Sequence, residues 1–221
     1  PVPATVVLHG HSGAKAWCMG VYEHDGEFNG MPRFKARHKH KGKHLFLYRS
    51  SNAGSWSVGR EKDMPTNMGG IQSTAAGALL PLGLEYQCWD GNAWHADAAL
   101  VASDSRSRPV PATVVLHGHS GDNALCMGVY EHDGEFNGMP RFKSRHKYLG
   151  DHLFLYRSSY GRWVVATEQA MPKNMGWIQS GSKGALLPLG LQYECWDGNA
   201  WQADAALVAT DRRPRPVPAA G

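Results

Sequence analysis

The chain has 221 residues, 42% of them hydrophobic and 19% charged, with a formal net charge of +4. That composition suits globular domains, and no apolar run approaches the roughly 20 residues a membrane span needs. The basic surplus, 12 Lys and Arg against 9 Asp and Glu in residues 1–108 and 11 against 10 thereafter, is too small to indicate nucleic acid.

Nearly every segment occurs twice. Residues 1–13 (PVPATVVLHGHSG) return at 109–121, residues 21–35 at 129–143, and the stretch 78–94 at 185–201. Roughly four in five aligned positions are identical, a level that records recent copying and makes the differences more informative than the agreement. Residues 215–219 repeat 108–112, so the sequence reads as two units of a longer array, and the lack of an initiating Met fits a processed or partial piece. Residues 1–104 are the first unit, 105–111 a polar, Pro-broken linker, 112–211 the second unit, and 212–221 a connector toward a third. No targeting segment is visible, and organellar and extracellular settings both remain open.

In chain order, residues 4–9 (ATVVLH) predict a strand, 16–24 a second, and 32–37 a third in which Phe34 alternates with basic residues. Residues 44–49 (HLFLYR) read as a strand buried on both faces. Trp56 and Val58 mark another, 70–73 a short one, 84–90 a further one and 93–102 the last, with a short helix over 97–102 as the alternative. Asp25-Gly26, Asn29-Gly30 and Asp90-Gly91 tolerate positive φ and predict tight hairpins. Gly and Pro interrupt every apolar run before three helical turns. The expected fold is all-β: two tandem homologous small antiparallel β-sandwich or barrel domains with little or no helix.

Residues 6–14 lead an apolar strand into Gly-His-Ser-Gly, close to the G-x-S-x-G elbow of α/β-hydrolases. That elbow must open a helix on a parallel sheet, which a helix-free unit of this size does not supply, and Asp122 breaks the motif in the second copy. No catalytic residue is expected. His9 and His11 lie two apart on a presumed strand, as do His117 and His119, and are weak metal candidates with His24 or His132 as a third ligand. Polar strand-end histidines are the preferred reading, so neither metal nor cofactor is expected. Cys18 and Cys88, like Cys126 and Cys195, sit in apolar contexts that suit buried thiols or one bridge per unit, Cys18–Cys88 and Cys126–Cys195.

Residues 35–44 are the strongest charge feature. Arg37, Lys39, Lys41 and Lys43 read as a solvated hairpin tip or a polyanion contact confined to the first unit, since Tyr148, Leu149 and Asp151 break the pattern in the second. Trp89, Asp90, Asn92 and Trp94, repeated as Trp196, Asp197, Asn199 and Trp201, read as core and turn or as a sugar platform. Trp177 replaces Gly70 and is expected to be exposed to a partner.

The pattern of Tyr22, residues 26–34 (GEFNGMPRF), 45–49 (LFLYR), Gly54-Ser55-Trp56 and Trp89 to Trp94 resembles a small β-module found in tandem in multi-copy proteins of algae and other protists. The resemblance spans nearly all of each unit, implies a tandem β-domain and brings no catalytic set. Repetition, divergence confined to predicted loops and a rich aromatic inventory together lead to an expected function. It is that of a non-enzymatic structural or linker protein whose repeated domains bind successive protein subunits of an assembly, with valency supplying affinity. A carbohydrate-binding, lectin-like repeat protein is the alternative, and neither nucleic acid nor membrane insertion is expected.

Overall fold

Short β-branched and aromatic runs broken by Gly-containing turns favour antiparallel neighbours. In a computed structural model, which describes residues 1–104 and 109–211, each unit is one nine-stranded antiparallel sheet. Of the expected connectors, residues 105–108 and 212–221 lie outside the described residues. The first unit comprises β1 (Thr5–His9), β2 (Gly20–Phe28), β3 (Met31–His40), β4 (Lys43–Arg49), β5 (Trp56–Arg60), β6 (Ile71–Ser73), β7 (Tyr86–Trp89), β8 (Trp94–Ala96) and β9 (Val101–Ser103). The second repeats them as β10 (Thr113–His117), β11 (Gly128–Phe136), β12 (Met139–Tyr148), β13 (Asp151–Arg157), β14 (Trp163–Thr167), β15 (Ile178–Ser180), β16 (Tyr193–Trp196), β17 (Trp201–Asp204) and β18 (Val208–Thr210).

Strands β1 to β8 form a meander, and β9 returns to pair with β1, which makes β8 and β9 the two sheet edges. A flat sheet of that width would hold its edges about 38 Å apart. Residues 97–100 alone join those edges, and five Cα steps reach about 18 Å at most. The sheet therefore curls until its edges nearly meet. It is a barrel-like single sheet rather than two sheets packed face to face.

Period-two alternation sorts the side chains. In β4, Leu45 and Leu47 enter the enclosed core with Val6, Leu8, Tyr22, Phe34, Trp56 and Ile71. Phe46 and Tyr48, on the other face, pack with Met64 and Phe28 outside the sheet. The doubly buried strand expected at 44–49 is thus the wall between two apolar layers, and Phe154, Tyr156 and Met171 repeat the outer layer in the second unit. Trp56 Nε1 donates to Ala78 O at 3.0 Å, and Tyr22 Oη donates to Cys18 O at 2.6 Å, so the buried polar tips are satisfied.

Three local expectations change. Residues Ala16–Cys18 form a 3-10 turn, and the second strand starts only at Gly20. Asp25-Gly26 is a bulge inside β2, whereas the hairpin sits at Asn29-Gly30 with φ of 52° and 68°. The predicted last strand divides into β8 and β9 around a turn, not a helix.

Candidate functional site

The two units meet through unlike faces. The first contributes one end of its barrel, the Ala16–Cys18 turn and the distal half of β3; the second contributes its β11–β12 hairpin and the end of β13. Arg157, the last residue of β13, is 2% exposed. Its Nη1 donates to Met19 O at 2.7 Å and its Nη2 to Ala16 O at 3.1 Å, both in the other unit. Burial pulls this guanidinium down to about 10, so it stays cationic at neutral pH, and among the described residues its charge is met by carbonyl dipoles.

Polar contacts surround it. Asn137 takes Lys39 N–H on its Oδ1 at 2.9 Å and gives its Nδ2–H to Lys39 O at 3.1 Å, so one amide satisfies both backbone groups of β3. Arg37 bridges Glu23 at 2.7 Å and Glu135 at 3.3 Å. His40 Nδ1–H donates to Ser159 O at 3.0 Å, with Trp17 stacked on the ring at 4.2 Å and Tyr160 edge-on at 6.4 Å. Beneath them His38 donates from Nε2 to Trp17 O at 2.9 Å. Burial first, then the nearby Arg157 charge, drops its pKa to about 3, which keeps it neutral. The backbones approach closely: a Cβ on Gly138 would stand 2.4 Å from the Arg37 carbonyl carbon, and one on Gly184 would stand 2.2 Å from His11 O. Only glycine fits at either place.

The basic stretch is therefore mostly strand, with only Lys41-Gly42 at the hairpin tip. Arg37 and Lys39 are turned to the second unit through an ion pair and backbone bonds, and Lys41 and Lys43 are exposed. The indoles Trp89 and Trp94 face each other across β7 and β8 with centroids 5.5 Å apart, as Trp196 and Trp201 do at 5.4 Å. Asp90 and Asp197 each close their turn, Asp90 Oδ1 accepting the Asn92 and Ala93 N–H groups and Asp197 those of Asn199 and Ala200. Those bonds hold Asp90 down at about 2. Trp177 is half-buried rather than exposed, edge-on to Tyr148 at 6.0 Å, and lines a groove of about 490 Å³ with Trp196 and Trp201.

The cysteines are free thiols, so the bridges Cys18–Cys88 and Cys126–Cys195 are not formed. Cys88 turns instead toward a pair the sequence spacing did not suggest. His11 Nδ1 lies 2.5 Å from Asp97 Oδ2 and 3.6 Å from Cys88 Sγ, and His119, Asp204 and Cys195 repeat this at 2.5 and 3.7 Å. His9 and His117 are not partners of these rings, because Gly10 at φ 97° ends the strand between His9 and His11. His24 packs edge-on to Phe34, and His132 does the same with Phe142.

Lys15 N–H donates to His11 Nε2 at 3.3 Å, which puts the ring proton on Nδ1, facing Asp97. The bond from His119 holds Asp204 below the usual carboxylate range. Desolvation raises Cys88 and Cys195 to about 11, so both stay protonated, and thiol and carboxylate crowd the same imidazole nitrogen. A nucleophilic relay needs a thiolate, and it needs base and orienting carboxylate on opposite nitrogens. The trio instead ties the loop after β1 to β7 and to the β8–β9 turn, across the seam where the sheet edges meet. Its three ligand atoms lie within 4.8 Å of one another. A cation would have to break the His–Asp hydrogen bond to enter, because two ligands on one zinc stand about 3.3 Å apart.

No family model, curated protein or solved structure matches the chain. Arg157, Gly138 and Gly184 escaped the sequence reading for a physical reason. Their first-unit counterparts are the identical residues Arg49, Gly30 and Gly77, so no difference between the copies marks them.

Proposed function

We propose that this protein is a non-enzymatic scaffold whose tandem β-domains hold repeated surfaces at fixed spacing for successive protein subunits of an assembly. The observation that carries the reading is the buried Arg157, which with Asn137 and Glu135 fixes one unit on the other rather than leaving them as beads on a string. A rigid pair presents both copies of a surface in one orientation, so where successive subunits are already joined in their assembly the second contact forms at roughly millimolar effective concentration after the first. The protonated thiols and the single-nitrogen geometry of the His–Asp–Cys trios speak for structural clips. Native mass measurement of the chain with what co-purifies from its source tests the proposal. The expected result is one partner species at two copies per chain, and a single copy per chain overturns it.

The groove at Trp177, Trp196 and Trp201 favours a second reading, a sugar-binding site in the second unit alone, because Gly70 leaves the first unit without the third indole. The aspartates beside both Trp pairs are already committed to their turns, which weakens that reading. A glycan array on the intact chain separates the two: a scaffold shows no sugar preference, while a lectin binds and loses binding on Trp196→Ala.

A further inference from the structure

The contact between the units uses one face of each, and the complementary face of each is open. The second unit's copy of the receiving face has Ala124 exposed and Met127, Gly128 and Val129 half exposed, where Ala16, Met19, Gly20 and Val21 are buried. The first unit's copy of the inserting face has Arg49, Met31 and Pro32 half exposed, where Arg157, Met139 and Pro140 are buried. A Cβ on Gly30 or Gly77 would meet open space, whereas Gly138 and Gly184 press on backbone. Arg49 keeps only the inner bond, Nε–H to Gly54 O at 3.0 Å, and among the described residues its outer nitrogens meet no acceptor.

We infer that a second copy of this chain docks head to tail on these open faces, with Arg49 of one copy donating to Ala124 O and Met127 O of the next. This rests on the scaffold reading and names one of its partners. The polar elements at Arg37, Glu135 and Asn137 recur in the open pair, whereas the His40–Ser159 hydrogen bond does not, since Tyr148 stands in place of His40. Arg145 stands where Arg37 does and is exposed beside Glu131; Glu27 stands where Glu135 does; Asn29 has the same φ of 52° as Asn137, and Lys147, the counterpart of Lys39, is exposed on β12 to receive it from the next copy. Charge therefore matches across the join, a cation on the receiving face and a carboxylate on the inserting one, as at Arg37 and Glu135. The aromatic part does not recur: Trp17, His40 and Tyr160 are replaced by Leu125, Tyr148 and Asn52. The contact between copies is consequently weaker than the one within the chain, and it lacks the linker's effective concentration. Because the two faces differ, the contact is heterologous: each added copy offers a fresh face, and growth does not stop at two.

Sedimentation and light scattering of the intact chain test this up to about 1 mM, the effective concentration of a short linker. The expected result is a mass that climbs through successive multiples of one chain. Arg49→Ala removes the inserting face and Ala124→Arg blocks the receiving one, both at surface positions, so each variant alone stays a single chain with unchanged melting. Mixed in equal amounts they form dimers and nothing larger, because each supplies one intact face. A constant single-chain mass up to about 1 mM overturns the inference, as does a closed dimer or undiminished growth of either variant. Fluorescent labels on the two units, read in the same samples, separate the proposals. If the units remain docked while chains stay single, the scaffold reading stands and only the head-to-tail contact fails.

Discussion

Residues 16–21 (AWCMGV) and 124–129 (ALCMGV) differ at one position, yet they live in different surroundings. Met19 and Val21 are 0% and 4% exposed beneath the second unit, and Met127 and Val129 are half exposed. The two β13-type strand ends make the same contrast in reverse, with Arg157 buried and Arg49 half exposed. Near-identical copies thus separate what a residue does for its own barrel from what it does for a neighbour. Where an identical residue has the same surroundings in both copies it serves the fold, and where identical residues such as Arg49 and Arg157 differ in burial the difference marks the contact.

The largest expected effect breaks the contrast at arginine. Arg157→Ala removes two charge-assisted bonds to the first unit besides the one to Gly161 O within its own, and leaves Met19 O under the neighbouring unit without that donor, so it should cost about 2–4 kcal/mol and split unfolding into two transitions. Arg49→Ala should stay within about 0.5 kcal/mol, since that side chain is half exposed. Urea titration followed by tryptophan fluorescence reads both. Equal losses would mean the arginine serves its own barrel and not the junction.

Acid sharpens the same comparison. His38 has a folded pKa of about 3 against an ordinary value of 6.5, burial being the larger cause and Arg157 the next. Above 6.5 neither state holds the proton and the group contributes nothing to the pH dependence. As pH falls below 6.5 the unfolded chain takes up a proton that the folded chain refuses, so stability drops by about 1.4 kcal/mol per unit. By about pH 4.5 the loss from this one group is roughly 2–3 kcal/mol. His38→Gln keeps a donor for Trp17 O and removes the titration, so the stability difference between variant and wild type should shrink toward neutral pH and favour the variant in acid. Parallel pH curves would show that burial under the second unit does not govern this ring.

The strands were legible because period two survives copying: residues 44–49 read as doubly buried and are, with Leu45 and Leu47 in one layer and Phe46 and Tyr48 in another. The turns were half legible. Asn29-Gly30 announced its hairpin, but Asp25-Gly26 carries the same φ tolerance and forms a bulge, since local chemistry permits both and strand register selects. The junction was illegible. Arg157 and Arg49 have identical neighbours in the segment LFLYRSS, and only tertiary placement makes one a buried anchor. The His–Asp–Cys clips were missed because their members lie 86 and 77 residues apart, and a two-residue His spacing drew attention to the wrong neighbour.

The smallest effect compares two kinds of hairpin tip. Asn137-Gly138 and Leu149-Gly150 both place a non-glycine residue at left-handed φ, 52° and 48°, followed by a glycine. Asn accepts that conformation and here also binds the Lys39 backbone of the first unit. Leucine accepts it poorly, and Leu149 is 87% exposed, so it gains no burial in return. Leu149→Asn should therefore stabilise the second unit by about 0.5–1 kcal/mol. Lys41→Asn at φ 49° should do the same for the first. The reverse change, Asn137→Leu, adds the backbone strain and removes two junction bonds, so its cost should exceed the gain at Leu149 by the worth of those bonds, roughly 1–3 kcal/mol. Thermal melts of the three variants rank them. If Asn137→Leu costs no more than Leu149→Asn gains, the amide does not hold the units together, and backbone conformation alone explains the choice of residue.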